Sequence, residues 1–177
     1  MTGTTPGASA PTAGPDEALV RSIEAAVGVT HVGSRGLQIT ERLVRRYARA
    51  IGADAPFAGA RSNGPRALVA PPTMLTAMMN WSDEENDGSF ARDDGFSFHD
   101  DLPGVHLGKV RIMGGGEKTR FLRSVKVGMT VWRRSTLRAV RHKAGSAGRF
   151  LLLTFDTAYV DDNDNLLLTS TKTVIVR

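Results

Sequence analysis

The chain of 177 residues contains no cysteine. Disulfides, thiolate nucleophiles and cysteine-ligated zinc or iron–sulfur centres are therefore excluded. No apolar run approaches the ~18 residues that a membrane-spanning helix needs. The N-terminus also lacks the basic and apolar regions of a secretory signal. We expect a cytoplasmic protein that makes no contact with a membrane.

Aromatic residues are scarce, at 6% of the chain, and charge is segregated. Eight carboxylates and one arginine lie between Asp83 and Asp101, whereas eleven Lys or Arg and one Glu lie between Lys109 and Lys143. A basic block of this kind suits an acidic partner, the phosphates of a nucleotide-like ligand, nucleic acid, or simply a solvated sheet face. Nucleic acid is the weakest of these, because the aromatics do not interleave with the basic residues as a stacking platform would. We expect no nucleic-acid partner.

Length and composition predict one domain, since the chain is long enough for one sizeable core and short for two. Residues 2–15 are all Thr, Gly, Pro, Ala or Ser. Such a tract cannot bury enough apolar surface to offset the entropy lost on ordering it. We predict a disordered tail over residues 1–15 and a single domain over residues 16–177.

Three helices are predicted in the first half, each with a suitable N-terminal residue and apolar residues at helical spacing. The second should place Leu43, Tyr47 and Ile51 on one face. The predicted helices run from the N-cap Asp16 to Gly28, from the N-cap Thr40 to Gly52, and from Pro72 to about Trp81.

The second half of the chain favours strands. Strands are predicted over residues 117–125, 130–142, 149–160 and 166–176, and a weaker one over residues 31–39. The third of these alternates Leu151, Leu153, Phe155, Thr157 and Tyr159 on one side, and residues 161–165 form a polar turn before the fourth. Helices followed by an antiparallel sheet predict the α+β class.

Common catalytic motifs are missing. The four histidines are scattered and none stands at metal-ligand spacing to another, so we expect no metal. No Gly-x-Ser-x-Gly nucleophile motif is present. The run Met113-Gly114-Gly115-Gly116 lacks the Lys-Ser/Thr of a P-loop. Glycines at this place permit a bulge or close backbone packing more often than contact with a ligand, and both readings stay open.

Several strings, taken in order, resemble the MaoC-like dehydratase family, and more narrowly its N-terminal-type hot-dog domain, also described as the fatty-acid-synthase type dehydratase region. The resemblance covers about residues 16–177. It implies a hot-dog fold, in which a curved antiparallel sheet wraps a central helix, and a substrate that is an acyl thioester, usually of coenzyme A. The strings are Arg46-Tyr47-Ala48, Ile51-Gly52 and Pro56; Ala70-Pro71-Pro72-Thr73; Gly114-Gly115; Val125-Lys126-Val127-Gly128, with Ser124 and Met129 where the family has Pro and Asp; and Tyr159 before the polar turn.

Active members of this family carry Gly-Asp-x-Asn-Pro-x-His after the second helix. The Asp and His activate the water that adds to a trans-2-enoyl thioester or leaves a (3R)-hydroxyacyl one, and a helix N-terminus binds the thioester oxygen. The corresponding stretch here is Gly52-Ala53-Asp54-Ala55-Pro56-Phe57-Ala58, so Ala53 and Ala58 stand at the catalytic positions. A methyl group can neither take up a proton nor orient water, and Asp54 is one residue out of register. The resemblance thus implies the fold and the substrate class but no catalytic residue in this chain.

Two functions are compatible with that outcome. In the first, the chain is the non-catalytic subunit of a heteromeric enoyl-CoA hydratase or (3R)-hydroxyacyl-CoA dehydratase. A second hot-dog chain would supply Asp and His in a heterodimer or heterotetramer, and the acyl group would be bulky, such as a steroid side chain or a polyketide. Hot-dog domains generally pair by joining their sheets. The alternative is a non-enzymatic acyl-CoA-binding or regulatory homodimer.

Four residues are predicted to contact the substrate. Thr73 and Met74 open the central helix, whose N-terminus suits a developing oxyanion. Gly114 and Gly115 allow the backbone to approach a ligand closely. The resemblance implies no cofactor beyond the coenzyme A of the substrate, and the basic residues from Lys126 to Lys143 are candidates for contacting its phosphates.

Overall fold

Four long strands in the second half of the chain carry the fold. The structure is a computed structural model that describes residues 14–33, 36–53, 68–78, 102, 104–105, 110–146 and 148–177. Its elements, in chain order, are α1 Glu17–Ala25, β1 Thr30–Val32, β2 Leu37–Gln38, α2 Glu41–Ala50, α3 Met74–Met78, β3 Ile112–Phe121, β4 Thr130–Gly145, β5 Gly148–Asp161 and β6 Leu166–Val176.

The strands form one six-stranded sheet in the order β1-β4-β5-β6-β3, and β2 also pairs with β4. Every pairing is antiparallel. The ten-residue β3 therefore forms one edge, and the short β1 and β2 form the other. This arrangement confirms the predicted α+β class.

Both predicted N-caps are present. Asp16 Oδ1 accepts the amide of Leu19 at 2.7 Å, and Thr40 Oγ1 accepts the amide of Leu43 at 3.2 Å. Each bond satisfies one of the amides that a helix leaves without a partner in its first turn. Gly52 follows α2 with φ +70°, a left-handed conformation that glycine adopts without steric cost.

The inner face of the sheet holds the core. The predicted alternation on β5 is confirmed, because all five residues from Leu151 to Tyr159 at odd positions are buried. Two apolar clusters lie on this face. One joins α1 to the sheet through residues such as Ile23, Leu153 and Val174; the other joins α2 and α3 to it through residues such as Val44, Met74 and Leu168.

A polar row separates the two clusters. Ser135, Thr157 and Ser170 lie opposite one another on β4, β5 and β6, and all three are buried. Ser135 Oγ and Thr157 Oγ1 are 3.2 Å apart, and Ser170 Oγ donates to Glu117 Oε1 at 2.5 Å. Because each buried hydroxyl has a partner, the row does not carry the cost of an unsatisfied polar group.

Strand β3 differs most from the sequence prediction. It begins at Ile112 rather than residue 117 and ends at Phe121, so Gly114 and Gly115 lie within the strand and not before it. The pairing with β6 shifts register between Gly114 and Gly116, which is a β-bulge. The glycines thus permit the bulge that one of the two sequence readings favoured.

Smaller differences concern the first half of the chain. Ile51 is the C-cap residue of α2 and is 48% exposed, so the helix ends before it and its side chain leaves the buried face. The weak segment over residues 31–39 forms the two short strands β1 and β2 instead of one. Of the predicted central helix, α3 covers Met74–Met78, and residues 79–81 lie outside the described residues.

The described chain begins at Gly14, so residues 1–13 of the tail predicted over residues 1–15 lie outside it. Gly14 packs against β5, where an added Cβ would lie 2.5 Å from the carbonyl oxygen of Arg149. The assignment of residues 16–177 to one domain stays a prediction.

Candidate functional site

Three of the strings that carry the family resemblance meet at one end of the sheet. The segment before α3 runs antiparallel to the segment before β4, since Ala70 N donates to Val125 O at 2.8 Å and Val127 N to Leu68 O at 2.9 Å. Gly128 N in turn donates to Ile39 O at 2.8 Å, just before α2. Main-chain bonds therefore fix the starts of α2, α3 and β4 relative to one another.

A side-chain bond joins α2 to the beginning of α3. The hydroxyl of Tyr47, which is 8% exposed, lies 3.0 Å from Thr73 Oγ1. Thr73 itself is exposed, so its hydroxyl sits at the surface while the tyrosine ring is part of the core. The contact places a pair of hydroxyl groups at the start of α3.

Thr73 and Met74, both predicted substrate contacts, have different surroundings. Met74 is fully buried in the cluster under α2 and α3, and its amide donates to Pro71 O at 2.9 Å. The side chain of Met74 therefore contributes to packing. Thr73 faces the surface beside the cavity described next, and substrate contact by either residue stays a prediction.

A cavity of about 380 Å³ opens beside the start of α3. Its walls are the segment from Val69 to Pro72, the end of β3 with the residues after it, and Leu168. Phe121 and Leu122 are 46% and 41% exposed, so apolar side chains line an open wall. Arg123 and Ser124 add polar groups to this largely apolar surface. An open apolar cavity with a few polar groups is typical of a small-molecule site.

Gly114 and Gly115 are not part of this cavity. Phe121 lies seven positions after Gly114 on β3, which is about 23 Å along an extended strand. Gly115 lies close to β6, where an added Cβ would be 3.0 Å from Thr173 Cγ2. Neither Thr73 nor Met74 lines the cavity, although the preceding residue Pro72 does, and the two glycines lie toward the far end of β3.

Of the two substituted catalytic positions of the motif, Ala53 is the one that lies within the described residues. It follows α2, is partly buried, and its amide donates to Ala48 O at 2.8 Å. The chain therefore turns away from the helix at Gly52 and Ala53, as the motif requires. Asp54 and Ala58 lie outside the described residues.

Sequence reasoning did not identify Phe121, Leu122 or Arg123 as lining residues. The exposed pair Phe121-Leu122 at the end of a strand was a usable signal, because adjacent apolar residues on a strand point to opposite faces and cannot both enter one core. The surroundings of the basic residues between Lys109 and Lys143 also differ more from one another than their sequence suggested. Arg133 is buried at 6% exposure, Arg134 is ion-paired with Asp164, and Arg138 Nε lies 3.4 Å from Asp156 Oδ2.

No group of three His, Asp or Glu side chains suited to a metal ion occurs within the described ranges. In the same part of the chain, every helix is too short or too polar to cross a membrane.

The pKa of Asp161 is lowered, chiefly by the side-chain hydrogen bond from Asn165. This carboxylate organises the β5–β6 turn, since it also accepts the amides of Asn163 and Asn165, both at 2.9 Å.

Residues 25–170 match the family model described as FAS1-like, dehydratase domain region. The chain belongs to this family. No curated protein sequence matches it. The resemblance to the fatty-acid-synthase type dehydratase region is thereby confirmed.

Solved structures of similar fold include two complexes from Mycobacterium tuberculosis. One is HadBC, a 3R-hydroxyacyl-ACP dehydratase, at 20% identity and a TM-score of 0.57, with 85% of this chain and 96% of that chain covered. The other is the ChsH1–ChsH2 complex, at 16% identity and a TM-score of 0.62, with 90% and 88% covered.

A third is the (R)-hydratase from A. caviae involved in PHA biosynthesis, at 16% identity and a TM-score of 0.54, with 84% of this chain and 94% of that chain covered. At these identities the match is one of fold. The sheet is that of the MaoC-like hot-dog proteins, as predicted.

Proposed function

We propose that the chain is the non-catalytic subunit of a heteromeric hydratase or dehydratase that acts on acyl thioesters. The observation that carries the proposal is alanine at positions 53 and 58, where active members of the family have Asp and His. Addition of water at the β-carbon of an enoyl thioester needs a general base, and alanine offers none. Family membership over residues 25–170 supports the reaction class.

The proposal assigns the catalytic pair to a second hot-dog chain. Two of the similar structures are complexes of differently named subunits, HadBC and ChsH1–ChsH2. A family that assembles in this way tolerates loss of the pair in one chain when the other retains it. We therefore expect a heterodimer or a heterotetramer.

The partner is expected to pair with β3. This strand is ten residues long and borders the sheet, whereas the opposite edge consists of strands of three and two residues. A long edge offers a row of main-chain donors and acceptors that a second sheet can continue. Pairing there would also set the partner beside the cavity at Phe121 and Leu122.

In this assembly the chain contributes shape and polar positioning. The cavity walls from Val69 to Pro72 and from Phe121 to Val125 would hold apolar parts of the acyl group. The Tyr47–Thr73 hydroxyl pair would orient the thioester end beside the start of α3. Water activation and proton transfer would rest with the Asp and His of the partner. An acyl group as bulky as a steroid side chain or a polyketide stays a prediction, because most of the long polar segment over residues 82–108, which would make room for it, lies outside the described residues.

Co-expression tests the proposal. The chain is produced alone and together with a hot-dog hydratase chain that has an intact Asp and His, and each preparation is assayed with a trans-2-enoyl-CoA. Activity only in the co-purified complex supports the proposal. If no such chain co-purifies and the pure protein still binds acyl-CoA, the non-enzymatic homodimer is favoured instead.

A further inference from the structure

A second cavity lies at the opposite end of the sheet from the one beside α3. It has a volume of about 540 Å³ and is formed between α1 and the β4–β5 hairpin. Leu151 is part of its wall, whereas the first cavity includes Leu168, which pairs with Tyr159 on β5. Tyr159 lies eight positions after Leu151 on the extended strand β5, which is about 26 Å. The two cavities are therefore separate surfaces.

The charged side chains around this second cavity, named here the hairpin cleft, are mainly basic. Arg21 comes from α1, Lys143 from the end of β4 and Arg149 from the start of β5. Glu17 is the one carboxylate in the lining, and it lies 3.6 Å from Arg21 as an exposed i,i+4 pair. A pair of this kind is weak in water, so Arg21 can exchange it for a better anion. The cleft thus has an excess of positive charge.

The walls of the hairpin cleft are held in place independently of any ligand. His142 Nε2 lies 2.8 Å from Glu24 Oε1, which ties the end of β4 to α1. Ile23, on the preceding position of α1, is fully buried against the sheet. Gly14 packs directly against the main chain of Arg149. Because three contacts set the spacing of α1 and the hairpin, the basic groups are presented by a formed concave surface and not by loose side chains alone.

The hairpin cleft differs from the rest of the basic block between Lys109 and Lys143 in the surroundings of its charged groups. Arg133 is in the core, and Arg134 and Arg138 neutralise Asp164 and Asp156. Arg123 borders the apolar cavity as a single cation, whereas Lys143 borders the hairpin cleft together with Arg21 and Arg149 from other elements. Phe150 adds an aromatic side chain to the lining, and an aromatic face can stack on a planar base.

We propose that the hairpin cleft binds an organic phosphate with at least two phosphate groups, such as a nucleotide. Guanidinium and ammonium groups from three elements form charge-assisted hydrogen bonds to phosphate oxygens, and Arg binds them in a bidentate manner. The volume of the cleft lies within the range of ligand sites, about 300–1,000 Å³. The phosphates come either from the nucleotide end of an acyl carrier such as coenzyme A or from a free nucleotide.

Calorimetric titration of the full chain tests this proposal, with adenosine 3′,5′-bisphosphate, ADP and inorganic phosphate as probes. We expect both nucleotides to bind, to bind more weakly as salt is added, and to bind more tightly than inorganic phosphate. Preference for adenosine 3′,5′-bisphosphate identifies the carrier as the source, and equal binding of the two identifies free nucleotides. Absence of binding by both nucleotides overturns the proposal.

Two substitutions in the hairpin cleft and one outside it test where the nucleotide binds. Lys143→Gln and Arg149→Gln should each weaken nucleotide binding about tenfold, since a hydrogen bond to a charged group contributes on the order of 1.4 kcal/mol or more. Arg141→Gln removes the same charge from the same strand outside the cleft and should change binding little. Equal weakening by Arg141→Gln and Lys143→Gln would overturn the assignment to the cleft. All three residues are exposed, and a thermal melt of each variant verifies that the fold is kept. Nucleotide binding is measured without a partner chain, so its failure is distinct from failure of the proposed hydratase role.

Discussion

The two ends of the sheet present opposite chemistry on the same strands. At the α2–α3 end, apolar side chains surround a cavity beside the Tyr47–Thr73 hydroxyl pair. At the α1 end, the hairpin cleft is lined by Arg21, Lys143 and Arg149. The difference arises because β4 and β5 extend beyond the apolar core at the α1 end. In this extension their residues change from apolar to basic. One hot-dog sheet can therefore offer an apolar surface and a phosphate-binding surface that do not compete.

The polar row of Ser135, Thr157 and Ser170 divides the inner face into two apolar clusters, one under each end. If the clusters are parts of one cooperative core, both ends unfold together. If they are independent, each end has its own stability.

The largest effect is expected from truncating the two clusters. Leu153→Ala under the α1 end and Leu168→Ala under the α2–α3 end should each lower the free energy of unfolding by about 2–5 kcal/mol, because both leucines are buried and a cavity remains. Urea denaturation followed by circular dichroism should show a single transition for both variants. Leu152→Ala, on the outer face of the same strand, is the control and should cost less. A second transition that only one variant shifts would mean that the two ends are independent.

The bulge in β3 should be the next most sensitive feature to substitution. This strand runs from Ile112 under the α1 end to Phe121 at the apolar cavity. Gly116 has φ +122°, where a side chain is strained, whereas the position of Gly114 is not left-handed and an added Cβ there would meet nothing within 4 Å. Gly116→Ala should cost about 1–3 kcal/mol. Gly114→Ala is the matched control. Thermal or urea unfolding that ranked the two variants the other way would show that the bulge does not set the conformation at Gly116.

Removal of the hydroxyl pair should have a smaller effect, confined to the α2–α3 end. Tyr47→Phe keeps the buried ring and deletes the bond to Thr73, which should cost about 0.5–1.5 kcal/mol. Thr73→Val should cost a similar amount, and the double variant should cost less than the sum of the two. Additive costs in urea denaturation would indicate that the two hydroxyls do not interact. Nucleotide binding in the hairpin cleft should be unchanged in all three variants.

The smallest effect is expected at the β5–β6 turn, where hydrogen bonds from Asn165 hold the pKa of Asp161 below its ordinary value of 3.8. A lowered pKa means that the folded state favours the carboxylate. Its contribution to stability is therefore present above the ordinary pKa and is lost as the pH falls through the folded one. Asp161→Asn should be less stable than the parent at neutral pH, and the difference should shrink in acid.

Asn165→Ala is the companion variant for that turn. It removes the side-chain donor at 3.0 Å and should bring the pKa of Asp161 closer to its ordinary value in an NMR titration of the carboxyl group. An unchanged pKa would mean that the main-chain amides alone account for the shift.

Local patterns predicted much of the fold. Strand β5 was identified from its alternation, the caps of α1 and α2 from Asp16 and Thr40, and the end of α2 from Gly52, because each depends on residues close in sequence. The start of β3 was missed because Met113-Gly114-Gly115-Gly116 has low strand propensity and is held in the sheet by pairing with β6. The exposure of Ile51 was missed because α2 ends one residue before it, whereas the apolar spacing continues through it.

The candidate site was predictable only in part. The strings around Tyr47, Pro71 and Val125 indicated segments that the structure does bring together. The wall of Phe121 and Leu122 was not predicted, because it forms from the end of β3 and the segment before α3, which are distant in sequence. The hairpin cleft escaped notice for a similar reason. Its basic residues come from α1, β4 and β5, and only the sheet pairing places them together.

Dependence of this chain on a partner for catalysis can be measured with the chain alone. The purified chain, freed of any other hot-dog protein, is incubated with a trans-2-enoyl-CoA, and formation of the 3-hydroxyacyl product is followed. We predict no hydration above the uncatalysed rate for the chain alone and clear hydration once a hot-dog chain with Asp and His is co-purified with it. Hydration by the pure chain alone would contradict the account, since Ala53 and Ala58 provide no general base.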